Sequence, residues 1–164
     1  MPVIDVHKDL DQRRLTLTAH FDAPVERIWE LYADPRQLER VWGPPTHPAT
    51  FVDHNLTPGG RCTYYMTGPD GEKYYGFWDV REVDEPRRFS FADGFAHEDF
   101  TPDESLPVGI NTYSFTSQDG GTRAVYEDVY PTVEALEQVL AMGMIEGATG
   151  AINQIDAFLA ADSQ

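Results

Sequence analysis

The best candidate for acid–base chemistry in this sequence is the carboxyl group of Glu82. Glu82 has the same strand parity as Trp78, so we expect its side chain on the inner side of a sheet, near the sheet's end. In an apolar pocket the pKa of this carboxyl would rise, and the group could abstract a proton from a carbonyl compound, as cyclases require. The alternative is a carboxylate paired with a neighbouring arginine. Glu82, or a tyrosine of the same pocket, is the acid–base candidate that the sequence offers.

The sequence gives less support for a metal site or for a nucleophilic catalytic residue. Asp53 and His54 are adjacent on a predicted strand and therefore point to opposite faces. The triplet at residues 97–99 (His-Glu-Asp) has no partner at a recognised ligand spacing. The single cysteine, Cys62, lies mid-strand without an evident activating base, and nucleophile-elbow, phosphate-loop and dinucleotide patterns are absent. We therefore expect neither a metal nor a cofactor.

The sequence gives better support for the binding of a small molecule. The first feature that supports it is a set of three glycines in the predicted C-terminal helix. Gly143, Gly147 and Gly150 are spaced i, i+4 and i+7, which leaves one side of that helix almost bare. Each glycine costs roughly 1 kcal/mol relative to alanine inside a helix. The bare side could roof a cavity. Alternatively, another backbone packs closely against it, or the helix begins only near Gly143.

Large side chains are expected to face this helix from the sheet. Aromatic stripes on strands usually form plain core, but a buried phenol needs a hydrogen-bond partner, and several phenols in one interior suit an apolar pocket with a few polar groups. The predicted lining consists of Trp42, Tyr64, Met66, Tyr74, Trp78, Phe91, Tyr113, Phe115, Tyr126, Met144, Ala148 and Ile152.

The elements that position these residues follow from alternation and turn signals. Residues 14–21 alternate strictly and form a strand, and two short helices follow it, the second capped by Asp34. Turns at residues 68–71 and 119–120 connect hairpins, with Met66 opposite Tyr74 in the first. Residues 93–109 are interpreted as a long loop, and residues 1–11 as a loosely held lead-in. The prediction is an α+β fold in which six to seven antiparallel strands wrap a long C-terminal helix.

Two aromatic residues are expected on the outer face of this sheet. Tyr75 and Phe77 alternate with the inward-facing Tyr74 and Trp78, so their rings should point away from the C-terminal helix. Apolar side chains on an outer face can mark a contact surface. A homodimer through Tyr75 and Phe77 would be the simplest use of it.

The composition excludes several classes of function. The chain has 164 residues and a formal net charge of −16, and its ten arginines and two lysines form no cluster larger than a pair. Nucleic acids and anionic lipid surfaces would therefore be repelled. The beginning of the chain lacks the basic segment and apolar run of a signal peptide, and no stretch reaches the length of a membrane span. We expect one cytoplasmic domain over residues 1–164.

Three segments carry a family resemblance: "DAPVERIWELYADPRQLERVWGP", "PGGRCTYYMTGPDGEKYYGFWDVREVDEPRRFSF" and "GMIEGATGAINQIDAFLA". Together they resemble the bacterial homologues of the activator of the 90-kDa heat-shock chaperone ATPase, within the START-like (SRPBCC) superfamily. The resemblance implies a helix-grip fold with a cavity between sheet and C-terminal helix. It does not imply one activity. Relatives often have Gly-Trp where this chain has Gly143-Met144, which alters the expected shape of the pocket entrance.

The first functional hypothesis is a non-enzymatic protein that binds a small, mostly apolar or amphipathic molecule. The second is an enzyme of the cyclase or hydratase kind, which requires a perturbed carboxyl or phenol facing the cavity. The third is a protein-interaction module like a co-chaperone, implied by the resemblance and by the outer aromatic residues. Ligand identity does not follow from the sequence.

Overall fold

One antiparallel sheet runs through most of the chain in the computed structural model, which describes residues 2–162. Within these residues the strands are β1 (Val3–Asp9), β2 (Arg14–Phe21), β3 (Ala49–Asp53), β4 (Arg61–Thr67), β5 (Lys73–Asp84), β6 (Arg88–Ala96), β7 (Gly109–Gln118) and β8 (Gly121–Val129). The helices are α1 (Val25–Ala33), α2 (Pro35–Leu38), α3 (Val133–Ala141) and α4 (Met144–Asp162). The strand order is β1-β2-β8-β7-β6-β5-β4-β3. The predicted helix-grip fold is confirmed, with one or two strands more than expected.

Turn residues set the register of both predicted hairpins. Gly71 has φ +85°, and the Gly68 N–H donates to the Glu72 carbonyl at 2.8 Å, which closes the β4–β5 loop. Asp119 and Gly120 both have positive φ, +52° and +78°, as a two-residue turn between twisted strands requires. The expected pair of Met66 with Tyr74 is present, and the same two registers pair Cys62 with Trp78, Tyr113 with Tyr126, and Phe115 with Ala124.

Helices cover the inner face of this sheet in two places. α1 packs on β7 and β8, whereas α4 packs on β1 and β2. The Asp34 carboxylate accepts a hydrogen bond from the Arg36 N–H at 3.0 Å, so Asp34 caps α2 as predicted. The buried residues that the helices contribute include Ile28, Trp29, Leu31, Tyr32, Leu38, Leu136, Val139, Ala151, Ile152 and Ile155.

The N-terminal segment is not the loosely held lead-in that was expected, because residues 3–9 form the edge strand β1. β1 pairs with β2, and the Val3 N–H donates to the Asn153 side-chain oxygen of α4 at 3.1 Å. The sequence signal is weak because the strand has no buried face: Ile4 and Val6 are 63% and 39% exposed. Met1 lies outside the described residues.

The segment expected to be one long loop, residues 93–109, begins as strand. β6 continues through Asp93 to Ala96, and the remaining connection is closed by a bridge between Ala96 and Pro102. Polar and glycine residues in this part of β6 hide the alternation that identifies a strand. The correction matters for function, because it places Asp93 on the sheet rather than in solvent.

Candidate functional site

The inner face of the sheet carries a continuous aromatic cluster. Trp78 stacks on Phe91 with ring centroids 4.2 Å apart, and the Trp42 ring lies edge-on at 4.9 Å from Trp78. Tyr113 meets Tyr126 at 4.5 Å on the neighbouring strands. The structure thus brings together seven of the predicted lining residues in one cluster: Trp42, Tyr64, Trp78, Phe91, Tyr113, Phe115 and Tyr126.

The other predicted lining residues lie around this cluster rather than within it. Met66, Met144 and Ala148 are partly buried against the core, and Ile152 is buried. Tyr74, by contrast, is 53% exposed and lies close to the β4–β5 turn. Its ring faces His47, with centroids 5.7 Å apart.

Glu82 does not face the interior, and a β-bulge explains why. The pairing of β5 with β6 shifts register between Val80 and Glu82, so Val83 rather than Glu82 lies opposite Phe89 on the inner face. The Glu82 side chain is 66% exposed and forms an ion pair with Arg88. The acid–base assignment of Glu82 therefore loses its geometric basis, and the alternative of a carboxylate paired with an arginine describes it.

The outer aromatic pair is covered by the chain itself. Phe77 is only 4% exposed, with the Arg61 guanidinium 5.1 Å from its ring centroid. Tyr75 lies edge-on to Phe100 of the β6–β7 connection at 5.5 Å. Phe77 therefore offers no apolar surface to a second copy, although both rings are on the outer face as predicted.

The three glycines of the C-terminal segment do not form one bare helix face. Gly143 has φ +89° and separates α3 from α4, so the helix begins directly after it. Gly150 contacts the α2–β3 connection, since a Cβ built there would lie 3.5 Å from Pro44 Cβ. Gly147 differs from both: apart from its own helix, a Cβ there would meet no atom within 4 Å.

Two aspartates contribute to the polar part of the inner face, next to the buried Asn111, which pairs with Asp128. Asp93 on β6 and Asp128 on β8 flank Gly109 of β7, which pairs directly with Asp93. A Cβ on Gly109 would lie 2.2 Å from Asp128 Oδ1, so this carboxyl occupies the space above the glycine. The Tyr64 hydroxyl donates to Asp93 Oδ1 at 2.9 Å, and the Tyr130 hydroxyl donates to Asp128 Oδ2 at 2.6 Å.

Burial changes the acidity of both carboxyls. It raises the pKa of Asp93 to about 8; the hydrogen bond from Tyr64 opposes this rise, and the charge of Asp128 adds to it. Burial likewise raises the pKa of Asp128 to about 7, against the opposing effect of the Tyr130 hydrogen bond. Desolvation also raises the pKa of Tyr113 well above its ordinary value. The site therefore holds acids that keep protons near neutral pH.

Several buried polar atoms here have no hydrogen-bond partner within residues 2–162. Asp128 Oδ1 and the Trp78 indole Nε1 lie on the inner face, and Thr149 Oγ1 lies on α4. Asp128 is 6% exposed and Trp78 is fully buried. Such atoms are uncommon in folded proteins because each one retains the cost of losing its hydration. No other protein group within residues 2–162 forms a hydrogen bond with these atoms.

The match to known proteins covers most of the chain. A family model described as "Activator of Hsp90 ATPase homolog 1-like protein" matches residues 22–160. The chain belongs to this family. The membership confirms the resemblance seen in the three sequence segments and places the protein in the START-like superfamily.

Solved structures of this fold come from several bacteria. A crystal structure of protein Ms6760 from Mycobacterium smegmatis is 67% identical, covers 96% of this chain and 97% of that chain, and has a TM-score of 0.90. A solution structure of a protein from Arthrobacter aurescens is 43% identical, with coverages of 96% and 92% and a TM-score of 0.93. No curated protein matches the chain.

Sequence reasoning about this family member missed Asp93 and Asp128, although a signal existed for each. Asp128 shares strand parity with Tyr126, and Asp93 shares it with Phe91, so period-two alternation places both carboxyls on the inner face.

Among the described residues no helix has the length and apolar character needed to cross a bilayer.

Proposed function

We propose that this protein binds a small molecule with a largely apolar body and at least one polar group, held between the inner face of the sheet and α4. The observation that carries the proposal is the presence of buried polar atoms without protein partners, Asp128 Oδ1 and Trp78 Nε1, in an aromatic interior. Leaving such an atom unsatisfied costs about 1–3 kcal/mol. A ligand that supplies the missing donor and acceptor would recover this free energy on binding.

The apolar part of the ligand would contact the aromatic cluster. We retain the predicted lining residues with Tyr74 moved to the rim, and we add Asp93 and Asp128. Pockets for small molecules are typically lined by apolar and aromatic side chains around a few polar groups. The inner face has this composition, with aromatic rings on β4 to β8 and the two carboxyls beside Gly109.

The route to this site is proposed to lie between the first turns of α4 and the connection that follows Trp42. Gly150 contacts Pro44 there, and the Gln154 side-chain amide donates to the Gly43 carbonyl at 2.6 Å, so this half of α4 is held in place. One turn earlier, a side chain at Gly147 would meet no neighbouring element within 4 Å. The half-exposed ring of Tyr74, against His47, lies near the same connection and would form the outer rim.

A fluorescent probe with an apolar body and a weakly polar nitrogen, N-phenyl-1-naphthylamine, tests the proposal. We expect saturable one-to-one binding by the wild-type protein. The Gly147→Leu variant should bind about tenfold more weakly or worse, because the new side chain would narrow the opening. Ala141→Leu places the same leucine side chain at an exposed position at the end of α3 and should bind like the wild type.

The outcome that contradicts the proposal is the absence of saturable binding by a wild-type protein that melts cooperatively. Equal binding by the Gly147→Leu and Ala141→Leu variants would instead contradict the route beside α4. Native mass spectrometry of protein purified from cells then identifies the natural ligand as a mass retained by the wild type and by Ala141→Leu.

A further inference from the structure

The carboxyl of Asp128 above Gly109, and that of Asp93 on the residue paired with Gly109, define the class of ligand more narrowly. We propose that the polar group of the ligand is a protonated amine, seated between Asp93 and Asp128 with its apolar body against the aromatic cluster. This inference rests on the proposed function, since it assigns a chemical class to the molecule bound at that site.

The first argument is charge. Within the described part of the chain, Asp93 and Asp128 have no arginine, lysine or histidine as an ion-pair partner, and only tyrosine hydroxyls donate to them. An ionised carboxylate in a low-dielectric site is costly unless a positive charge compensates it. The titratable groups that face the pair are the phenols of Tyr64, Tyr113 and Tyr130, and these carry no positive charge at any pH.

The second argument is the direction of the missing hydrogen bonds. Asp128 Oδ1 has no hydrogen-bond partner and, when the carboxyl is ionised, can only accept; an ammonium group is a donor with three N–H bonds. The unpartnered indole N–H of Trp78, on the residue paired with Asp93 in β5, offers a donor to an acceptor atom elsewhere on the same ligand. This unpartnered donor belongs to a different side chain from the carboxyls and supports a ligand with polar atoms in this part of the interior.

The aromatic surroundings favour an organic ammonium over a metal ion. The rings of Trp78, Phe91 and Tyr113 lie on the strands that carry or flank the two carboxyls, and ring faces attract organic cations. No group of three His, Cys, Asp or Glu side chains able to hold a metal occurs in residues 2–162. The net charge of −16 would also raise the local concentration of cations around the protein.

Displacement of the fluorescent probe by three molecules of similar shape tests this inference. These are 2-phenylethylamine, 2-phenylethanol and phenylacetate, which are cationic, neutral and anionic at neutral pH. We expect the amine to displace the probe about tenfold more effectively than the alcohol, and the anion to be the weakest. Asp93→Asn and Asp128→Asn should remove the preference for the amine and leave the alcohol unchanged. Glu137→Gln removes one charge from the exposed face of α3 and should keep the preference.

The two proposals fail in different ways. If the probe binds and the amine is no better than the alcohol, the amine assignment is overturned and small-molecule binding stands. An amine preference that persists in both asparagine variants but disappears with added salt also overturns it, since the attraction is then to the acidic surface. If the probe itself does not bind, both proposals fall. Should Asp128→Asn not fold, Asp93→Asn decides the matter, because its amide oxygen can still accept the Tyr64 hydrogen bond.

Discussion

Replacing Asp93 with asparagine should make the protein more stable above neutral pH. The pKa of this carboxyl is raised from 3.8 to about 8 in the folded protein, mainly by burial. Between these values the folded state keeps a proton that the unfolded chain has released. The stability that this proton contributes is therefore complete below pH 4, decreases as the pH rises, and is gone above pH 8.

The size of the effect follows from the same two pKa values. Each group that is protonated only in the folded state lowers the free energy of unfolding by about 1.4 kcal/mol per pH unit. From pH 5 to pH 8 the loss due to Asp93 would approach about 4 kcal/mol, and partial solvent contact reduces it, so we expect about 2–4 kcal/mol. Asparagine does not ionise and can still accept the hydrogen bond from Tyr64, so the variant should lack this loss.

Urea denaturation followed by tryptophan fluorescence measures the difference in the free energy of unfolding between the wild type and Asp93→Asn. The measurement is made at pH 5, 6, 7 and 8 and at constant ionic strength. The difference should grow with pH in favour of the variant. Asp5→Asn removes the same charge from the exposed strand β1. Its free energy of unfolding should differ from that of the wild type by the same amount at every pH. A difference for Asp93→Asn that is also independent of pH would refute the raised pKa.

The remaining predictions concern single positions. Gly109→Ala should lower the free energy of unfolding by about 1–3 kcal/mol, because its Cβ would lie 2.2 Å from Asp128 Oδ1. Gly147→Ala, in open space on a helix, should raise it by about 0.5–1 kcal/mol, and urea midpoints test both. Glu82→Gln should leave probe binding unchanged and alter stability by less than about 1 kcal/mol, since its ion pair with Arg88 is exposed. The Cys62 thiol, fully buried and with its pKa raised to about 11, should react with a disulfide reagent at pH 8 only after urea is added.

The register of both predicted hairpins was predictable because short-range chemistry determines it. Glycine at φ +85° in the loop after Thr67, and Asp-Gly with two positive φ angles after Gln118, each permit one favoured turn, and that turn fixes the facing residues. The aromatic cluster followed from these registers together with period-two alternation. Its existence, and the six of its seven residues that lie on strands, could therefore be predicted from the sequence without knowing the helices that cover it; Trp42 lies in the α2–β3 connection and does not follow from strand alternation.

Features that depend on longer-range context could not be predicted in this way. The bulge after Val80 reverses strand parity with no glycine or proline to mark it, so Glu82 was assigned to the wrong face. Tyr74 is 53% exposed although strand parity places it inside, and Phe77 is only 4% exposed although parity places it outside. Neither is encoded within the strand that carries the residue.

Asp93 belongs to a different class of missed residue. A strand that buries an aspartate violates the rule that inward positions are apolar, so pattern reasoning assigned its surroundings to a loop. The violation also supports the functional argument, because a buried carboxyl whose pKa is raised and that has no cation beside it lowers stability at neutral pH. Residues that break a local rule at a cost to stability are expected where function requires them. Asp128 breaks the same rule on β8. Strands β6 and β8 place the two carboxyls next to the single glycine of β7, where the amine of a ligand would compensate their negative charge.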